Sequence, residues 1–206
     1  LRCVAMNVFC DYAGRPDCKV KGIKMQKNAS VENVITMREY KSLLEHLAAD
    51  GKWKVYFIVK FLAGTGCRAS ELAKLEKNCL SNGEFTLWTK GKIRTIMIPK
   101  HLIEESREYF KTVDSNYLFP NRFGEQITTR GIGCLIKKYG LKYKIREEVL
   151  HPHAFRHLFA ILFLKENKNI ALLSDILGHE SLNTTAIYLR LSAAEQKKQL
   201  DRTVKW

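Results

Sequence analysis

The chain has 206 residues, 46% of them hydrophobic, and carries 35 lysines and arginines against 21 aspartates and glutamates, a formal charge of +14. A domain of that length buries about 70% of its unfolded surface, so it can hold an ordinary core without staples. No apolar run approaches the roughly 18 residues of a membrane span and the start is not a signal peptide, so a soluble, cytoplasmic protein with no membrane contact is expected. The charge surplus favours a polyanionic partner, above all nucleic acid.

Six cysteines (Cys3, Cys10, Cys18, Cys67, Cys79 and Cys134) show no C-x-x-C spacing. That argues against a zinc module or a disulfide framework, and they read as buried or half-buried thiols in a reducing compartment. In chain order, residues 1–13 repeat Leu1, Val4, Ala5, Val8 and Phe9 at helical spacing until Gly14-Arg-Pro16 ends the pattern. Residues 14–30 form a basic linker containing Arg15, Lys19, Lys21, Lys24 and Lys27. Thr36-Met-Arg-Glu39 is a capping box that opens a helix to about Ala49. A more apolar helix runs from Trp53 to Ala63, Gly64-Thr-Gly66 breaks it, and Ala69 to Leu75 restarts one with Arg68 at its opening.

Glu84 to Thr89 and Ile93 to Ile98 are the clearest strands, joined by Lys90-Gly91-Lys92 as a hairpin with a lysine at its tip. Helices are expected over Ile103 to Phe110 and Thr128 to Tyr139. The basic run Lys137, Lys138, Lys142, Lys144 and Arg146, interleaved with Tyr139 and Tyr143, suits either a nucleic-acid face or a solvated one. Ala154 to Glu166 is a strongly apolar helix, and Asn169 caps another, Ile170 to Leu177, which Gly178 terminates. A helix bearing Tyr188 follows Asn183-Thr-Thr, and the tail from Ser192 is amphipathic.

Chemistry concentrates in His151-Pro-His-Ala-Phe-Arg-His157 and in Leu177-Gly-His179 through Tyr188. His153 and Arg156 are three apart, so a helix puts them on one face. Two imidazoles, a guanidinium and a phenol able to converge suggest work on a phosphodiester. Taken alone, Tyr188 reads as a core-edge tyrosine, Arg68 as a surface partner of Glu71, and His46, His101 and His151 carry no signal.

The order of motifs resembles the catalytic domain of the tyrosine recombinases, the integrases of phages and mobile elements and their chromosome-resolving relatives. Gly66-Cys-Arg68-Ala-Ser-Glu71 is similar to their first-arginine box, and Thr89-Lys90-Gly91-Lys92 with Arg94 and Pro99 to their lysine hairpin. His153-Ala-Phe-Arg156-His157 and Leu177-Gly-His179 through Tyr188 are similar to the last two boxes, with Phe155 where the family usually has leucine. The resemblance covers about residues 30–195. It implies an α+β, mainly α fold: a helical catalytic domain over residues 31–206 with a small antiparallel sheet, residues 1–13 being the last helix of an N-terminal core-binding domain.

The resemblance also implies roles. Tyr188 would attack the phosphorus and form a 3′-phosphotyrosyl bond without metal, ATP or cofactor. Arg68 and Arg156 would clamp the non-bridging oxygens, with Glu71 orienting Arg68. His153 would be the base, His179 a donor to the phosphate, and His157 a structural residue bonded within the core. Lys90 would protonate the 5′ oxygen, with Lys92 as competitor. Lys92, Arg94, Lys137, Lys138, Lys142 and Lys144 are the candidate DNA contacts. The implied partners are double-stranded DNA, further copies of the chain as a tetramer at synapsis, docked through the C-terminal helix, and accessory DNA-bending or directionality proteins. A catalytically silent DNA-binding protein, a type IB topoisomerase and a metal-dependent nuclease are the competing readings.

Overall fold

A computed structural model describes residues 2–20, 34–89, 92–179, 181–189 and 201. The expected tip lysine, Lys90, and the expected docking helix from Ser192, apart from residue 201, lie outside those residues. Helix α1 (Arg2–Tyr12) is followed by a 3-10 turn, Pro16–Cys18, and Asn7 bonds the backbone of Val20 through both its side-chain oxygen and nitrogen. Its Met6, Val8, Phe9 and Tyr12 are exposed.

Helix α2 (Met37–Ala49) starts as its capping box requires. The Thr36 hydroxyl accepts from the Glu39 N–H at 3.2 Å, and the Glu39 carboxylate accepts from the Thr36 N–H at 2.9 Å. Its Leu43 and Leu47, four apart, face helix α3 (Trp53–Thr65). Helix α3 is apolar nearly all round because it is central: Phe57, Ile58, Val59, Phe61 and Leu62 are all buried. Phe61, Phe110 and Phe119 form a mutual edge-to-face cluster with ring centroids 5.5–5.8 Å apart.

Two short helices follow, α4 (Ala69–Leu72) and α5 (Asn78–Asn82). The first ends earlier than its sequence pattern suggests, and the second is too short to leave a periodic signal. Strands β1 (Glu84–Thr89) and β2 (Lys92–Met97) pair antiparallel, with Phe85 opposite Ile96, Leu87 opposite Arg94 and Trp88 opposite Ile93. Alternation buries Leu87 and Ile96 and leaves Trp88, Ile93 and Met97 exposed. Arg94 therefore shares the inward face, a point that matters for the site.

Helices α6 (Lys100–Lys111) and α7 (Thr129–Lys142) extend beyond their apolar repeats, α7 under a Thr128 cap whose hydroxyl accepts from the Gly131 N–H at 3.0 Å. Helix α8 (Pro152–Glu166) packs along α3. It begins two residues earlier than the apolar pattern because His151 is its N-cap, Nδ1 accepting from the Ala154 N–H at 3.2 Å, with Pro152 at the first position. That gives His151 a structural job which its sequence context did not announce.

Helix α9 (Ile170–Leu177) has the bounds that Asn169 and Gly178 dictate, with Gly178 left-handed at φ 60°. Helix α10 (Leu182–Ala186) is capped by Ser181, not by the Asn183-Thr-Thr stretch, and Tyr188 sits in the 3-10 turn Ile187–Leu189 that follows. A small second core of Ala160, Leu164, Leu173 and Leu177, with Phe159, Phe163 and Tyr188 against it, joins α8, α9 and that turn. Among the cysteines whose burial is described, Cys10, Cys67 and Cys79 are buried as expected, whereas Cys18 and Cys134 are exposed.

The basic run is partly tied down within the chain. Lys137 pairs with Glu147 at 2.6 Å, Lys142 with Asp50, and Arg146 forks onto Glu39 at 2.6 and 2.9 Å. That fork holds the Glu39 carboxyl at about 2, down from an ordinary 4.5. A folded-state pKa below the unfolded one means that the stabilisation is complete above pH 4.5 and is lost as pH falls through about 2. Because the Arg146 side chain is half exposed, water screens the fork and its contribution is small. Denaturant titrations should show Arg146→Ala slightly less stable at pH 7, and the gap should close as pH falls from 4.5 toward 2.

Candidate active site

Three guanidiniums meet at the C-terminal end of α9. Arg68 is the N-cap residue of α4, where its own N–H donates to Glu71 Oε2 at 2.7 Å. Its side chain reaches Glu71 Oε1 with Nη1 at 3.0 Å and the Gly178 carbonyl with Nη2 at 3.0 Å, and it stays 38% exposed. Arg156, on α8, is 3% exposed and donates Nη1 to the Gly66 carbonyl at 2.6 Å and Nη2 to the Leu177 carbonyl at 2.7 Å. Burial, then the charges of Arg68 and Arg94, bring it down to about 10, so it remains a cation at neutral pH.

The third guanidinium is a correction. Arg94, expected among the DNA-facing cations, points inward from β2 with a side chain only 10% exposed. Its Nε lies 2.9 Å from Glu71 Oε1, Nη1 donates to the Leu177 carbonyl, and Nη2 donates to the Ile176 carbonyl at 3.2 Å. Nε has the distance of an ion pair but makes no hydrogen bond, so its contact with Glu71 is Coulombic. Gly178 has a left-handed φ of 60°, which favours glycine, and a Cβ there would run into the Arg94 guanidinium. Glu71, 4% exposed, sits between Arg68 and Arg94.

The last carbonyls of a helix have no partners within it and carry the negative end of its dipole. Here arginine N–H groups take the Ile176, Leu177 and Gly178 carbonyls. Three positive charges face one carboxylate, which leaves an excess suited to an anion such as a phosphodiester.

The imidazoles stand around this cluster. His179 follows Gly178, and its Nδ1 lies 2.7 Å from the hydroxyl of buried Thr185. Burial, then Arg156, Arg68 and Arg94, push it down to about 4. His153 is also lowered, by burial first, then Arg156, His151 and Arg68. Among the described contacts no hydrogen bond joins His153 to Tyr188. That position belongs to His157, whose Nδ1 is 2.6 Å from the Tyr188 hydroxyl. His157, expected to bond within the core, thus turns toward the phenol; burial, then His153, His151 and Arg156, hold it at about 4. Burial raises the Tyr188 phenol and the Arg156 charge opposes that rise.

So the structure gathers Arg68, Glu71, Arg156, His157, His179 and Tyr188, places His153 beside His157 with ring centroids 6.4 Å apart, and adds Arg94 and Thr185. Arg94 was open to detection: the strand alternation puts it on the face of Leu87 and Ile96. Thr185, six residues past His179, left no comparable signal. The Lys92 side chain lies outside the description, and Lys137, Lys138, Lys142 and Lys144 lie on or just beyond α7.

The sequence pattern of the Phage integrase family matches residues 33–195. The chain belongs to that family. This integrase-family chain is 36% identical over 177 residues to the tyrosine recombinase XerA of Pyrococcus furiosus, which covers 82% of it and 60% of the relative. It therefore spans well under two thirds of that relative's length. Among solved structures, XerA recombinase shares its fold with a TM-score of 0.71 at 25% identity, over 99% of this chain and 74% of that one. The Tn1549 transposon integrase in complex with a circular intermediate DNA gives a TM-score of 0.72 at 20% identity, over 97% and 77%.

A buried carbonyl that loses its donor carries a desolvation penalty. Glu71 keeps Arg68, so Arg94→Leu chiefly strips the Ile176 carbonyl of its donor and the Leu177 carbonyl of one of its two and should lower unfolding free energy by about 1–3 kcal/mol in urea titrations. Gly178→Ala, which collides with the same guanidinium, should fall in the same direction.

Proposed function

We propose that the chain is the catalytic domain of a site-specific DNA recombinase of the integrase type, cleaving and rejoining strands through a 3′-phosphotyrosyl intermediate. The observation that carries it is the convergence of the Arg68 and Arg156 guanidiniums with the Tyr188 hydroxyl and two neutral imidazoles. Tyr188 attacks phosphorus; the P–O(Tyr) bond forms as the P–O5′ bond breaks, and Lys90 delivers the proton that the 5′ oxygen takes. The phosphotyrosyl bond keeps the energy of the bond broken, so rejoining needs no ATP. Arg68 and Arg156 hold the non-bridging oxygens, where fixed donors match the charge that grows in the transition state. His179 and His153, both lowered by burial first and then by the charges around them, Arg156 foremost, donate to the same oxygens as neutral imidazoles.

The partner is double-stranded DNA, gripped through phosphates, and the reaction on two duplexes calls for a tetramer at synapsis with accessory DNA-bending or directionality proteins. Lys92 and the α7 lysines Lys137, Lys138 and Lys142, with Lys144, are the proposed phosphate contacts, and Arg94 is withdrawn from that set. The exposed apolar side chains of α1 fit a helix that packs in a DNA-clamping N-terminal domain. Integration or excision of mobile or phage DNA is the proposed setting, in keeping with the family's name, and the free thiols of the described cysteines suit the cytoplasm.

The test uses nicked duplexes whose sequence is recovered by selecting random duplexes on the Tyr188→Phe protein. The wild type should form a detergent-stable protein–DNA adduct in EDTA, Tyr188→Phe none, and Arg156→Ala should be slower by about 10²–10³. An adduct from Tyr188→Phe overturns the reading. In salt titrations, Lys138→Ala should reduce the slope of log K against log salt by about 1, while Arg94→Leu should leave it unchanged.

A further inference from the structure

Helix α8 presents Arg156 and His157 in succession, and one residue of helix rotates the second side chain by about 100° from the first. Arg156 turns in to the Gly66 and Leu177 carbonyls, and His157 turns to the 3-10 turn that carries Tyr188. The two rings lie 5.5 Å apart between centroids, and His157 Nδ1 is the hydrogen-bond partner of the phenol hydroxyl among the described residues. His153, one helical turn earlier, faces the His157 ring.

We propose that His157, rather than His153, is the group that takes the proton of Tyr188 when the phenol attacks. The proposal rests on the strand-transfer reading and names its missing base. The step balances: the O–H bond of Tyr188 breaks, its proton passes to His157 Nδ1, and the phenol oxygen bonds to phosphorus. The P–O5′ electron pair leaves with the 5′ oxygen, which Lys90 protonates.

The surroundings fit an acceptor that works only when substrate is present. Burial first, then His153 of α8, its N-cap His151 and Arg156 of α8, keep His157 unprotonated at neutral pH, and His157 in turn bears on His179 at the end of α9. In the Nε2–H tautomer its Nδ1 lone pair accepts from the Tyr188 hydroxyl at 2.6 Å. Burial of Tyr188 keeps the phenol protonated at rest. A phosphodiester seated on Arg68 and Arg156 brings negative charge beside the imidazole, which raises its basicity as the phosphorus becomes available. A histidine matched in this way avoids an idle phenolate between reactions.

Two measurements decide the point. In histidine-¹⁵N NMR of the free wild-type protein, His157 should be the Nε2–H tautomer with a hydrogen-bonded Nδ1, and Tyr188→Phe should remove that perturbation. An Nδ1–H tautomer overturns the proposal. In single-turnover cleavage of the selected nicked duplex at pH 7, His157→Asn keeps an acceptor near the Nδ1 position but cannot take a proton. It should be slower by about 10²–10⁴, with unchanged DNA affinity and a rate that climbs with pH from 7 to 9 as hydroxide substitutes. His157→Gln should behave likewise, whereas His153→Asn should show no such climb. Wild-type rates for both His157 variants, or the climb appearing in His153→Asn instead, overturn it. Failure of the wild type to form any adduct sinks the recombinase reading itself, and the NMR result still reports on the histidine–tyrosine pair.

Discussion

The structure depends on what happens to the last carbonyls of α9. A helix end buried without partners would be unstable, and this one is completed by arginines from three different parts of the chain: Arg68 before α4, Arg94 on β2 and Arg156 on α8. Each guanidinium in turn is held where its remaining charge is of use. Glu71 offsets part of the repulsion among the three, and the excess is what a phosphate would complete. The arrangement that caps the helix is therefore also the one on which the proposed anion site rests.

The glycines at the two turns follow from the same arrangement. Gly66 ends α3 in the left-handed region, offers its carbonyl to Arg156, and would meet the Phe159 ring at 2.5 Å and Leu177 at 2.9 Å if it had a Cβ. Gly178 lies against Arg94 just as closely. Close approach of backbone to side chain at both positions locks α3, α8 and α9 together. The small core of Leu164, Leu173 and Leu177 then carries this geometry to Tyr188, so the proposed nucleophile is tied to the same helix end as the arginines.

Much of this was legible in the sequence. The capping box at Thr36, the Asn169 and Gly178 limits of α9, and the alternation of β1 each state their element through local chemistry. The order of arginine, hairpin, His-x-x-Arg-His and tyrosine carried the family resemblance. What the sequence withheld depends on distant partners. Arg94 looks like one cation among many until its strand face is followed to the end of α9. His157 looks like a neighbour of Arg156 until a turn 31 residues away brings the phenol against it. The 3-10 form of that turn follows from where α10 stops, and five residues are too few to show a period.

The proposed chemistry turns on which side chain bonds to phosphorus. Protease digestion of the trapped protein–DNA complex, followed by tandem mass spectrometry, should find a 3′-nucleotide phosphate on the peptide containing Tyr188 and assign it to that phenol. A nucleotide on any other side chain, or a cleaved strand with no bond to protein, would contradict it.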